Sequence, residues 1–216
     1  MGNLSLVKSL SRLKEEQRHI DEVTLSPLGL SLVRGSVIEI AGEPSSGKTC
    51  IAMSLLAKLT SAGEICAVVD ACNSFDPCSA FLAGVQNENL LWVKCSGDLE
   101  HAFMAADHLV QAKGFGAIWL NLNGLPQNKL KMVPKTYWYR YRNRITQTPT
   151  LLVVTSPEPV TGSASQQSFL LTRERTVWSG TGKFKLLREF RVRASSRKQF
   201  YSQPVQAKLE FDYTDV

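Results

Sequence analysis

Apolar positions along this chain follow two alternating rhythms. Val37-Ile38-Glu39-Ile40-Ala41 is a largely apolar run of strand length, followed by a Gly-, Pro- and Ser-rich segment from Gly42 to Thr49. Ile51, Ala52, Leu55, Leu56 and Leu59 then recur at three and four residues and predict a helix buried along one face. After the Ser61-Ala62-Gly63 break, Ile65 to Val69 reads as a second buried strand ending at Asp70, and Leu90 to Val93 as a short third. Leu99, Ala102, Phe103, Ala106, Leu109 and Val110 mark another helix, which stops before Gly114. Ala117 to Leu122 is a further strand, residues 136 to 146 are a helix rich in Arg and Tyr, and Thr150 to Thr155 is another core strand. From Thr176 onward the pattern changes to strands separated by Gly, Ser and basic residues. At the start, Leu6, Leu10 and Leu13 among Lys8, Arg12, Lys14, Glu15 and Glu16 predict a short amphipathic helix.

Strands alternating with helices imply an α/β fold: a mostly parallel central sheet flanked by helices, with an antiparallel strand extension at the C-terminal end. The expected organisation is an N-terminal helix over residues 1–24, a core domain over 25–213 and a tail over 214–216. With 216 residues and 44% hydrophobic content, one domain can bury a full core. No stretch reaches the roughly 18 apolar residues of a membrane span, and no basic-then-apolar leader is visible, so a cytoplasmic protein is expected.

Five cysteines, Cys50, Cys66, Cys72, Cys78 and Cys95, contain no CxxC pair and read as reduced thiols. The net charge of +6 conceals an asymmetry. Residues 1 to 112 hold 8 Lys and Arg against 13 Asp and Glu, whereas residues 113 to 216 hold 17 against 6. The basic half suits a polyanionic partner or a solvated face equally well.

Gly42-Glu43-Pro44-Ser45-Ser46-Gly47-Lys48-Thr49 fits G-x-x-x-x-G-K-[ST] without a mismatch, between a strand and a helix as the mechanism requires. The glycines let successive backbone N–H groups turn inward, and the helix N-terminus adds positive potential. Lys48 is placed to reach the outer phosphates of ATP, and the Thr49 hydroxyl to ligate Mg²⁺.

Around this loop, Gly35 to Thr49 resembles the corresponding stretch of the RecA recombinases, and Leu28-Gly29-Leu30 their approach to it. The likeness extends through Cys66 to Ala71, Asp76-Pro77, Arg191-Val192-Arg193 and Ala207 to Tyr213. Gln111 to Ile118, Val133-Pro134 with Tyr137 to Arg140, and Thr148 to Val154 resemble the RecA-like ImuA-type proteins, small bacterial paralogues lacking most of RecA's appendages. The resemblance implies a RecA-like P-loop domain over about residues 25 to 213.

Departures from the RecA pattern bear on function. Where the resemblance places the Glu that activates water, this chain has Cys72; where it places the metal-side Asp, Asn121; and where it places the Gln that senses the γ-phosphate, Pro157. The aromatic residue expected over adenine is replaced by Ser79. Loss of a general base alone costs about 10² to 10⁴ in rate, so hydrolysis is expected to be very weak. Glu43 is a candidate substitute base, and Asp70 or Asp76 a candidate substitute metal partner.

The intervals in which RecA carries its DNA-binding loops hold no long Gly-rich insertion here, and filament-style DNA binding through them is not expected. Two basic clusters remain. In one, Lys135, Arg140, Arg142 and Arg144 interleave with Tyr137, Trp138, Tyr139 and Tyr141, which suits either base stacking with phosphate contacts or an amphipathic helix with solvated cations. In the other, Arg191 and Arg193 alternate about Val192, and Arg197 and Lys198 lie where RecA lysines extend to a neighbouring subunit's ATP. By resemblance, the chain is expected to be an accessory protein of the SOS response and translesion synthesis, joining an ImuB-type, Y-family polymerase-like protein and an error-prone DNA polymerase. DNA binding, self-association and RecA contact are further expectations, and nucleoid association would accompany them. An ATP-dependent recombinase and a SulA-type division inhibitor are the alternatives.

Overall fold

The computed structural model describes residues 21–25, 29–183, 185–198 and 205–210. The helix expected around Leu6, Leu10 and Leu13 lies outside them.

A four-residue alternation opens the fold: strands β1 (Glu22–Leu25) and β2 (Leu30–Val33) pair antiparallel and bury Val23, Leu25, Leu30 and Leu32. This hairpin was not evident from the pattern, because each strand offers only two inward positions. It begins ahead of residue 25 and is tied to the next helix by the Lys58 ammonium, which donates to the Thr24 carbonyl at 2.7 Å.

The continuous apolar runs become the buried centre of an eight-stranded sheet. Its strands are β3 (Val37–Gly42), β4 (Cys66–Asp70), β5 (Leu90–Lys94), β6 (Ala117–Asn121), β7 (Leu151–Ser156), β8 (Gln167–Ser179), β9 (Leu186–Ser196) and β10 (Val205–Glu210). Their spatial order is β10-β9-β8-β3-β7-β6-β4-β5. From β5 to β8 every neighbouring pair is parallel, and β9 and β10 add antiparallel. The α/β architecture is therefore the expected one.

Helices α1 (Lys48–Ser61), α2 (Pro77–Leu82), α3 (Leu99–Ala112), α4 (Gln127–Lys131) and α5 (Lys135–Ile145) complete it. Helix α1 packs Leu55 and Leu56 with Ile38, Ile40, Val68, Trp119 and Val153 on one face of the sheet. Phe103 of α3 and Trp138, Tyr141 and Ile145 of α5 cover Ile118, Leu120, Leu152 and Val154 on the other. The short helices α2 and α4 were not foreseen, since six and five residues hold too little periodicity to register.

Strand β8 starts at Gln167, well before the expected Thr176. The polar run Gln166-Gln167-Ser168 hid it, but Ser168 is fully buried and its hydroxyl donates to the Glu39 carboxylate at 2.6 Å. A polar residue sits in the core here because its partner in β3 is also polar.

Candidate nucleotide-binding site

The turn from β3 into α1 forms the phosphate loop. A side chain at Gly42 would come within 2.5 Å of the Leu171 carbonyl oxygen and 2.7 Å of Ser46 Oγ, so close approach to β8 demands glycine. Gly47 adopts the left-handed conformation, φ 93°, and Phe190 and Val192 of β9 pack beside it. The loop lies where an open parallel sheet binds ligands, at the carboxyl ends of its strands.

Two cavities flank the loop. One, of about 390 Å³, is lined by Pro44 to Cys50 with Asn123, Gly124 and Pro157. The other, of about 360 Å³, includes Glu43, Pro44, Ser46, Pro157, Glu158 and Arg173. Ser46 lines both, and its Oγ is buried with no hydrogen-bond partner. Lys48 is 6% exposed, and its ammonium donates to the Gly42 carbonyl and, at 2.8 Å, to that of Glu43. Burial lowers its pKa below the ordinary 10.5, opposed by the Glu43 charge. A buried cation and an unpartnered hydroxyl beside a helix N-terminus are what an anionic ligand satisfies.

The positions expected to carry hydrolytic groups are filled with neutral chemistry. Asn121, at the end of β6, is buried. Its Oδ1 accepts from the Thr155 hydroxyl at 3.1 Å and from the Asn123 backbone and side-chain amides at 3.2 and 2.8 Å. Its Nδ2 donates to Ser74 Oγ at 2.9 Å and to Asp70 Oδ1 at 3.4 Å. Thr155 in turn accepts from Trp119 Nε1 at 2.9 Å. Cys72 lies behind the cavity wall, where a side chain at Gly124 would meet it at 3.3 Å. Burial and then the Asp70 charge raise its thiol pKa, which disfavours the thiolate.

Of the substitute acids, Asp70 and Asp76 line neither cavity. Asp70 is fully buried and accepts from the Phe75 backbone amide at 2.7 Å and from Ser74 Oγ at 3.3 Å. Asp76 caps α2, accepting from the backbone amides of Cys78 and Ser79. Hydrogen bonds from the Ser79 hydroxyl, then from these amides, hold its carboxyl below the usual range. Ser79 is thereby occupied at the helix start. Glu43 is exposed and lines the smaller cavity. None of the ten residues lining the larger cavity is acidic.

The basic candidates divide between two elements. On α5, Trp138, Tyr141 and Ile145 are buried, so the amphipathic pattern decides the helix's orientation. Asp107 of α3 accepts ion pairs from Arg140, at 2.9 Å, and from Arg144. The Arg140 guanidinium also stands 4.5 Å from the Tyr137 ring centroid. Lys135 and Arg142 are exposed. On β9, Arg191 pairs with Glu189 and Arg193 with Glu174 of β8, both at 2.5 Å.

Arg197 stands 3.7 Å from the fully buried Glu39 carboxylate, which also accepts from the Val160 and Thr161 backbone amides at 2.6 and 2.7 Å. Lys198 donates to the Ser165 carbonyl. Burial lowers its pKa; Glu39 opposes that, and the nearby Arg142 and Arg197 reinforce it. Arg142 thus comes near Arg197 and Lys198 although distant from them in sequence. Asn123 and Gly124 are not among the expected site residues, although Asn121-Leu122-Asn123-Gly124 at a strand's carboxyl end is a readable signal.

A phosphate loop between β3 and α1, set in a parallel sheet with an antiparallel edge, defines a P-loop domain of the RecA-like α/β class. Residues 14–122 match the RecA N-terminal domain family, and the chain belongs to that family. It is similar to Protein RecA of Trichodesmium erythraeum, 39% identical over 112 residues, covering 51% of this chain and 31% of that protein. Protein RecA of Arthrospira platensis is 39% identical over 112 residues, 51% of this chain and 30% of its own length. Protein RecA of Acidiphilium cryptum is 38% identical over 118 residues, 51% and 34% respectively. The matched stretch thus spans about a third of these relatives. Among the described residues no helix is long and apolar enough to cross a membrane.

Proposed function

We propose that this chain is a cytoplasmic, ImuA-type accessory protein of DNA-damage tolerance that binds nucleotide weakly and acts mainly as a protein-interaction scaffold. The observation that supports this reading best is a phosphate cradle whose larger cavity has no acidic lining residue, with Asn121 committed to a neutral network. A water in that larger cavity has no lining carboxylate to take its proton. Nucleotide would serve as a ligand that orders the loop.

In this reading, the surfaces for an ImuB-type protein and an error-prone polymerase, or for DNA, draw on Lys135, Arg142 and the β9 arginines. Phosphate release by the purified protein is expected to match that of Lys48→Ala, with and without DNA, while the protein captures a polymerase subunit stoichiometrically. Robust DNA-stimulated release would return the chain to the recombinase class. Binding to the division machinery without any polymerase would favour the SulA-type role.

A further inference from the structure

RecA-family membership implies Mg²⁺ alongside ATP, and the residues present fit the two differently. The anion finds a buried lysine, an unpartnered buried serine hydroxyl and a helix N-terminus. In the larger cavity the metal finds hydroxyls and the Asn123 amide but no carboxylate; Glu43 and Glu158 line the smaller cavity instead. Mg²⁺ dehydrates reluctantly and is usually held through one or two carboxylates plus substrate phosphates. Here Asn121 Oδ1 already accepts three hydrogen bonds, and Asp70 turns its oxygens to Phe75, Ser74 and Asn121. Among the described residues no group of three His, Cys, Asp or Glu could hold a metal ion.

We infer that the cradle takes the phosphate chain of a nucleotide in its metal-free form, an inference that rests on the nucleotide-binding part of the reading above. Two charge effects favour the free anion. Without an acidic group in the larger cavity, Lys48 meets the phosphates with no competing negative charge on that side. A chelated Mg²⁺ would cancel much of the anion's charge, in a cavity lined without a carboxylate to hold it.

The test is calorimetric titration of the intact protein with ATP, once in EDTA and once in excess Mg²⁺, beside Lys48→Ala under both conditions. The expected result is a Kd in EDTA equal to or lower than that in Mg²⁺, with binding lost in Lys48→Ala. A Kd weakened by about tenfold or more on Mg²⁺ removal would overturn metal independence while leaving nucleotide binding intact. No binding under either condition would overturn both. Binding unaffected by Lys48→Ala would place the nucleotide outside the cradle and sink the inference as well.

Discussion

The Thr155 hydroxyl donates to Asn121 Oδ1 at 3.1 Å, joining the carboxyl ends of the neighbouring strands β7 and β6. Asn121 also donates toward Asp70 on its other neighbour, β4. The amide therefore matches an acceptor on one side and donors on the other, which a carboxylate cannot do. Asn121→Asp would bring a second carboxyl group against Asp70 and is expected to destabilise the protein by about 1 to 3 kcal/mol. It is not expected to create an ATPase, because no acidic residue lines the larger cavity. Urea midpoints and phosphate release check both halves; turnover in this single variant would show that only the metal-side acid was missing.

Lys48 carries the pH dependence of anion binding. Its folded-state pKa is lowered by burial, opposed by Glu43, and a phosphate in the cradle would raise it further. Affinity is therefore full where Lys48 is protonated in the free protein and falls as pH rises through that lowered value. ATP binding is expected to weaken at a pH below the ordinary lysine value of 10.5, with proton uptake on binding. Titrations in buffers of different ionisation enthalpy measure the proton; a flat profile would mean that the ammonium does not contact the ligand.

Glu39 holds the connection between β7 and β8. Glu39→Ala strands two backbone amides and the Ser168 hydroxyl in the core, at an expected cost of about 3 to 5 kcal/mol. Glu39→Gln keeps one acceptor oxygen and should cost less, about 1 to 3 kcal/mol. Denaturant unfolding separates them, and a Glu39→Ala midpoint equal to the parent's would show that this carboxylate does not anchor residues 160 and 161.

Trp138 and Tyr141 of α5 are buried in the core, with the Phe103 and Trp138 rings 5.0 Å apart, whereas Tyr139 is exposed. The Tyr141 hydroxyl donates to the Phe103 carbonyl at 2.7 Å. Tyr141→Phe is expected to lose about 1 kcal/mol and Trp138→Ala about 3 to 5 kcal/mol of stability. DNA binding by the folded Tyr141→Phe variant should equal that of the parent, measured by fluorescence anisotropy; a specific loss of binding would restore the ring's nucleic-acid role.

The sequence by itself determined the sheet's central strands, the two long helices and the phosphate loop, because each is a local matter: an apolar run, a three-and-four stripe, or glycines at fixed spacing. It also located Cys72, Asn121 and Pro157 as departures from the RecA pattern. Only the tertiary structure decided what those departures are for in the fold. Asn121 meets Asp70, Ser74, Asn123 and Thr155, three of them on other elements or loops, and no spacing along the chain encodes those distances. The same holds for β8, whose polar start becomes a strand only beside Glu39, and for Arg140 and Arg144, whose charges meet Asp107 from another helix. Periodicity reports which side of an element faces inward; which partner waits there is set by how distant segments pack.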